Sequence, residues 1–248
     1  MTKQWTIEEL KLAFPDVAFQ CRMEMFMATC HAERVTAVEK AIDHVAQNLT
    51  RTRHHRQHKD EDLLTNDIVT SLKDIGFQAS HDTDIGGHCD VVVEGRENFL
   101  WLGEAKTHHD YDWLYKGFQQ LSTRYSGGMP GQEAGGLIIY CYNQGVAQMM
   151  SSWKQHLVTQ RPDIQTITCT ANPLAFRSTH LHEVSGLSYM VRHIPVALYF
   201  DPKDAVRAGP KKARSPGKAR GTSAPRPARK AGSSAHSRAI KAAPASKK

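Results

Sequence analysis

The stretch Gly87-His88-Cys89-Asp90-Val91-Val92-Val93-Glu94, followed by Phe99-Leu100-Trp101-Leu102-Gly103-Glu104-Ala105-Lys106, decides how this chain is read. Both runs are rich in β-branched and apolar residues. The polar connection Gly95-Arg96-Glu97-Asn98 between them predicts two strands joined as a hairpin. Side chains alternate faces along a strand, so Glu104 and Lys106 point one way while Trp101, Gly103 and Ala105 point the other. Asp90 lies on the neighbouring strand, where its carboxylate can come beside Glu104. Two carboxylates so placed make a hard oxygen site suited to Mg²⁺ or Mn²⁺. A lysine two residues on can orient or help deprotonate a water, or steady charge developing on phosphorus. The competing reading is a surface ion pair between Glu104 and Lys106.

Context separates this segment from its look-alikes. The bare pattern also occurs as Glu9-Leu10-Lys11 and Asp201-Pro202-Lys203, but only the central copy ends an apolar strand with a strand-borne Asp upstream. Before it, Asp60 to Ile75 reads as a helix with Leu64, Ile68, Leu72 and Ile75 on one face, stopped by Gly76. Glu61 falls within about 60° of that face, so it either turns toward the sheet or simply favours the positive helix N-terminus. Phe77 to His81 can be a short strand, and Asp84-Ile85-Gly86-Gly87 is turn chemistry. After the segment, Asp110 to Tyr125 is a helix with Leu114, Phe118, Leu121 and Tyr125 as its buried stripe. Gln120 shares a face with Trp113, Gly117 and Arg124. Gly136 to Tyr142 reads as a buried strand, Val146 to about Thr159 as a helix, and Ile164 to Thr170 as a strand. Two or three more strands fall between Phe176 and Phe200.

Outside residues 60–202 the texture changes. Residues 1–59 read as a helical segment, with Val35, Val38, Ile42 and Val45 striping Ala32 to Asn48; self-pairing into a homodimer or partner binding is the role open to it. Arg51 to Lys59 is a polar, basic stretch, either a connector or a phosphate contact. The segment 203–248 is Lys, Arg, Ala, Pro, Ser and Gly with almost no large apolar residue, which predicts disorder. Its last 44 residues hold 13 of the 32 basic residues and no acid, leaving 19 bases against 25 acids before it. The pI near 9.2 therefore describes a mildly acidic body joined to a cationic tail. Such a tail binds phosphate backbones without sequence preference and with steep salt dependence. The competing readings are an anchor for acidic proteins or membranes, or a segment that merely solubilises the chain.

Taken together, helix with Glu61, Asp90 on the second strand, Glu104-Ala105-Lys106 on the third and a glutamine-bearing helix resemble the PD-(D/E)xK nuclease superfamily. The resemblance covers about residues 60–142. It implies a restriction-endonuclease-like αβββαβ core in an α/β fold, and Mg²⁺-dependent hydrolysis of phosphodiester bonds, with Mn²⁺ able to substitute. It implies metal-binding carboxylates at Asp90 and Glu104, a catalytic lysine at Lys106 and an auxiliary acid at Glu61. The supporting glutamine matches Gln119 or Gln120, with Gln120 preferred. DNA is favoured over RNA. The segment Trp101 to Lys106 with Gln120-Leu121 and Arg124-Tyr125 is also similar to nucleases of bacterial defence loci. The residue before Asp90 is Cys89 where proline is usual, a position that is not a ligand. His88 shares the face of Asp90, to touch metal or phosphate or to pair with a carboxylate. A different class stays open: a non-catalytic nucleic-acid-binding or scaffolding protein on the same fold.

Other chemistries find little footing. No apolar run approaches the roughly 18–20 residues needed to cross a bilayer, and the N-terminus has no hydrophobic signal core, so a cytoplasmic protein without membrane partner is expected. The five cysteines are scattered without a CxxC pair, against a disulfide framework or zinc ribbon. The histidine clusters at His54/His55/His58, His108-His109 and His180/His182 lack zinc spacing. Gly127-Gly128-Met129-Pro130-Gly131-Gln132 lacks the Lys-Ser/Thr of a phosphate loop, and reads as a mobile connection that can touch substrate.

Overall fold

A computed structural model describes residues 4–204. Three helices come first: α1 (Ile7–Ala13), α2 (Val17–Met27) and α3 (His31–Arg51). The polar stretch after α3 is a connector built around a 3₁₀ turn at Arg53–His55. Its cations are engaged within the chain: Arg53 donates to Tyr199 O at 3.0 Å, while Lys59 pairs with Asp67 at 2.6 Å and Arg56 with Asp67 at 3.3 Å. Helix α4 (Glu61–Ile75) then starts where Asp60 accepts the Leu63 N–H, and ends at Gly76, whose φ of 106° only glycine adopts readily.

The strands that follow are β1 (Gln78–Ser80), β2 (Thr83–Asp84), β3 (His88–Cys89), β4 (Val91–Glu94) and β5 (Leu100–Thr107). Helix α5 (Tyr111–Gln120) runs into a wider turn at Leu121–Tyr125, then come β6 (Ala134–Cys141), α6 (Val146–Gln160), β7 (Gln165–Thr168), β8 (Phe176–Leu181) and β9 (Ser188–Ala197). Seven strands make one mixed sheet in the order β1-β4-β5-β6-β9-β8-β7. Strands β5, β6 and β9 are parallel; the flanking pairs are antiparallel. The fold is mixed α/β.

One expected strand is broken. Residues 88–94 read as continuous, yet β3 pairs with β2 in a separate two-stranded ladder, and β4 begins only at Val91. The break falls at Asp90, whose carboxylate Oδ2 accepts the Ala105 N–H at 2.8 Å. A side chain thus occupies the place a main-chain carbonyl would take, and the ladder stops there.

Helices cover both faces of the sheet. On one face α3 and α4 bury Val38, Ile42, Leu64 and Ile68 against Trp101, Ala105, Ile138 and Ile194. On the other, α5 and α6 bury Leu114, Phe118 and Trp153 against Leu102, Leu137, Ile139 and Val191. Being covered twice explains why β6 reads Ala-Gly-Gly-Leu-Ile-Ile-Tyr-Cys without alternation, every residue buried. Helix α3 shares its core with the strands, so the described residues through Lys203 belong to one compact unit. Among the described residues no helix is long and apolar enough to cross a membrane. The basic tail lies outside the described residues from 205 onward.

The second core contains a histidine held neutral. His193 is fully buried; its Nδ1 accepts the Trp153 indole N–H at 3.1 Å, and its Nε2 shares a hydrogen bond with Ser178 Oγ at 2.8 Å. Burial pushes its pKa down to about 3. The unfolded chain therefore binds one more proton than the folded one between about pH 6.5 and pH 3. This histidine's contribution is fully present above that window and is lost as pH falls through it, at about 1.4 kcal/mol per pH unit. Urea midpoints across this range for wild type and His193→Gln are expected to converge toward acid; parallel curves would show that the imidazole is already charged in the fold.

Candidate active site

The sequence places its acids at the C-terminal end of β5, and the tertiary structure gathers them there. Alternation puts Glu104 and Lys106 with Leu102 on the face under α5, while Trp101 and Ala105 enter the opposite core. Both charged side chains are nearly inaccessible, Glu104 at 1% and Lys106 at 7% exposure, which removes the surface ion-pair reading. Lys106 Nζ donates to Glu104 Oε1 at 2.6 Å and lies 3.5 Å from Glu61 Oε1. Glu61 reaches the strand from the first turn of α4, and its second oxygen accepts the Thr107 N–H. Glu61 thus engages β5 directly as well as favouring its helix terminus.

Two features missed in the sequence position Lys106. Its ammonium sits 5.4 Å from the centre of the Trp113 ring, a cation–π distance. Its methylenes run across Gly117, where an added Cβ would lie 2.8 Å from Lys106 Cγ. The signal was present, since Trp113 and Gly117 share the helix face of Gln120. Gln120 itself is half-buried and donates to the Tyr125 hydroxyl at 3.2 Å, while Gln119 is exposed. Tyr125 in turn favours the charged form of Glu104, although no hydrogen bond reaches Glu104 Oε2 among the described residues.

Electrostatics set this cluster apart. Burial, and then the neighbouring Asp90 carboxylate, push Glu104 up to about 7 against the pull of Lys106. Burial also raises Asp90, opposed by the Ala105 N–H and by Lys106. For Lys106, burial opposes the charge, but Glu104, Glu61 and Asp90 together outweigh it and hold the ammonium above its ordinary value. A half-buried Asp90 and a buried Glu104 repel each other, Glu104 with an unpaired inner oxygen, and two such carboxylates could hold a divalent cation. Among the described residues no group of three or more His, Cys, Asp or Glu side chains is arranged to hold a metal ion. The donors present are therefore Asp90 and Glu104, with Glu61 turned to Lys106 and Thr107. Mg²⁺ commonly uses one or two protein carboxylates and keeps several waters, so these two are the side chains that could hold it.

Other candidates fall away from the site. His88 is exposed and pairs with Asp82 at 2.9 Å, the carboxylate-partner role. In the Gly127–Gln132 loop only the far end packs at the start of β5, where Gly131 O accepts the Leu100 N–H at 2.9 Å; its first residue follows Tyr125 by two. Six residues of extended chain separate that point from Lys106, roughly 20 Å. Cys89 is buried, and burial pushes its thiol up to about 12, which disfavours the thiolate. Comparison of the chain with protein-family models, with curated proteins and with solved structures finds no match, so the functional reading rests on these residues alone.

Proposed function

We propose that this protein is a Mg²⁺-dependent phosphodiesterase that cleaves DNA in preference to RNA, on an αβββαβ core of the restriction-endonuclease-like kind. The observation that carries the reading is the buried Lys106–Glu104 pair beside Asp90. Burying charges costs several kcal/mol each, and the stabilisation gained in return is small or negative. Such a cluster with displaced pKa values is a mark of chemistry. The order α4, β1, β4, β5, α5, β6 and the antiparallel β1-β4-β5 edge joined to parallel β6 support the core assignment.

In this reading Asp90 and Glu104 supply the oxygen ligands. A bound Mg²⁺, or Mn²⁺ in its place, provides Lewis acidity toward the phosphoryl oxygen and lowers the pKa of water. Lys106 orients the attacking water and offsets negative charge building on the phosphate. Glu61 and Trp113 hold the lysine; Gln120 supports the site through Tyr125. The test is a cleavage panel on plasmid, single-stranded DNA and RNA with Mg²⁺ or Mn²⁺, run on wild type and on Asp90→Ala and Glu104→Ala. Metal-dependent cleavage lost in both variants supports the reading; DNA binding without cleavage in any condition would shift it to a binding module.

The cationic segment supplies the polymer contact. Neutralising phosphates releases counterions, so log affinity falls with log salt in proportion to the number of contacts. Truncation after Asp204 is expected to flatten that slope for duplex DNA. An identical slope with and without the 13 basic residues would remove them as a contact.

A further inference from the structure

At the other end of β4 and β5 from the carboxylates lies a pocket of about 480 Å³, lined by Arg22, Met25, Phe26, Arg34, Gln78 and Arg96 among others. Three arginines line it. Arg96 donates to the Phe26 and Ala28 carbonyls, both at 2.9 Å, and has no carboxylate partner among the described residues. Arg22 is exposed, with neither hydrogen bond nor ion pair among the described residues, and lies over Gly76, where an added Cβ would come 3.0 Å from its Nε. Arg34 is 3% exposed; it pairs with Glu97 through Nη2, yet its Nε is buried without a partner.

Helix C-termini attract cations, and that alone would explain Arg96 at the end of α2 or Arg22 at the end of α4. It does not explain a third arginine, buried with an unpaired donor, against the same cavity. Guanidinium groups are planar forks matched to phosphate oxygens, and bringing three together is favourable when an anion sits among them. The remaining wall is apolar and aromatic: Met25 and Phe26, the latter 78% exposed. Glu94 and Gln78 add hydrogen-bonding groups suited to a ribose or a base edge. The volume falls in the range of small-ligand sites.

We infer that this pocket binds a free nucleoside mono- or diphosphate, with its phosphate on Arg22, Arg34 and Arg96 and its base against Phe26 and Met25. The site is separate from the proposed phosphodiesterase centre and does not depend on it. The test is isothermal titration of the full chain with ADP and with inorganic phosphate in EDTA, so that no divalent cation bridges nucleotide to Asp90 and Glu104. Wild type, Arg22→Gln and Phe26→Ala are compared; both side chains are exposed, and thermal melts check that the free proteins stay folded. The basic segment is the same in all three, so its contribution cancels. Saturable one-to-one ADP binding, at least tenfold weaker in each variant and tighter than phosphate, is the expected result. Absence of saturable binding, equal affinity for phosphate and ADP, or unchanged affinity in Arg22→Gln would overturn it.

Discussion

Changing Lys106 to methionine is expected to lower metal-dependent DNA cleavage by about 10²- to 10⁴-fold, the range for a group that positions a proton acceptor or offsets transition-state charge. The chain should remain folded, for a reason specific to this site. Glu104 already sits at about 7 beside Asp90, so without the ammonium it takes up a proton instead of standing charged in a dry environment. The methionine stem keeps the contacts across Gly117. Far-ultraviolet circular dichroism and a melt would check the fold, and single-turnover cleavage at saturating metal would check the chemistry. Cleavage at the wild-type rate in this variant would remove the assigned role for the lysine. Metal binding is expected to persist in Lys106→Met, the cation displacing the Glu104 proton, and to drop in Asp90→Ala, which separates ligand from catalyst.

The second large effect is on stability. Arg192→Leu is expected to cost about 3–5 kcal/mol, the usual consequence of removing one partner from a buried ion pair. Arg192 on β9 is 2% exposed; it donates to Asp43 Oδ2 at 2.6 Å and to the Glu39 carbonyl at 3.1 Å. Glu39, equally buried, is also held by Arg177 of β8. Burial raises the Glu39 pKa against the pull of both arginines, so the acid depends on them to stay charged. With leucine at 192, Asp43 loses its ion pair and Glu39 one of its two. In a domain of this size each kcal/mol moves the melting temperature by about 2–4 °C, so a drop of about 10 °C is the scale to look for. Replacing Arg192, Glu39 and Asp43 together by apolar residues should recover much of the loss, because the desolvation penalty leaves with the charges. A melting temperature unchanged in Arg192→Leu would mean that the network does not couple α3 to the sheet.

Much of the element order was legible before any coordinates. Helix α4 announces itself through Asp60, the Leu64-Ile68-Leu72 stripe and Gly76, all local signals acting within one or two turns. The alternation at Leu102, Glu104 and Lys106 was equally local, since the pleat alone dictates it. Strand and hairpin spacing brought Asp90 near Glu104 for the same reason. The break at Asp90 was not legible, because it depends on a donor 15 residues away, the Ala105 N–H. Nor was the burial of Lys106, which α5 imposes by laying Gly117 and Trp113 over it.

By itself, then, the amino-acid order determined which residues are helical or extended and which faces of β5 carry acid, lysine and apolar groups. Periodicity and capping are short-range properties of the chain. Only the tertiary structure decided that Glu61 reaches Lys106 beside the buried Glu104, and that three arginines from α2, α3 and the β4–β5 turn line one pocket. Those meetings are made by chain segments far apart in sequence, and the desolvation that gives their charges unusual energies exists only once the helices cover the sheet.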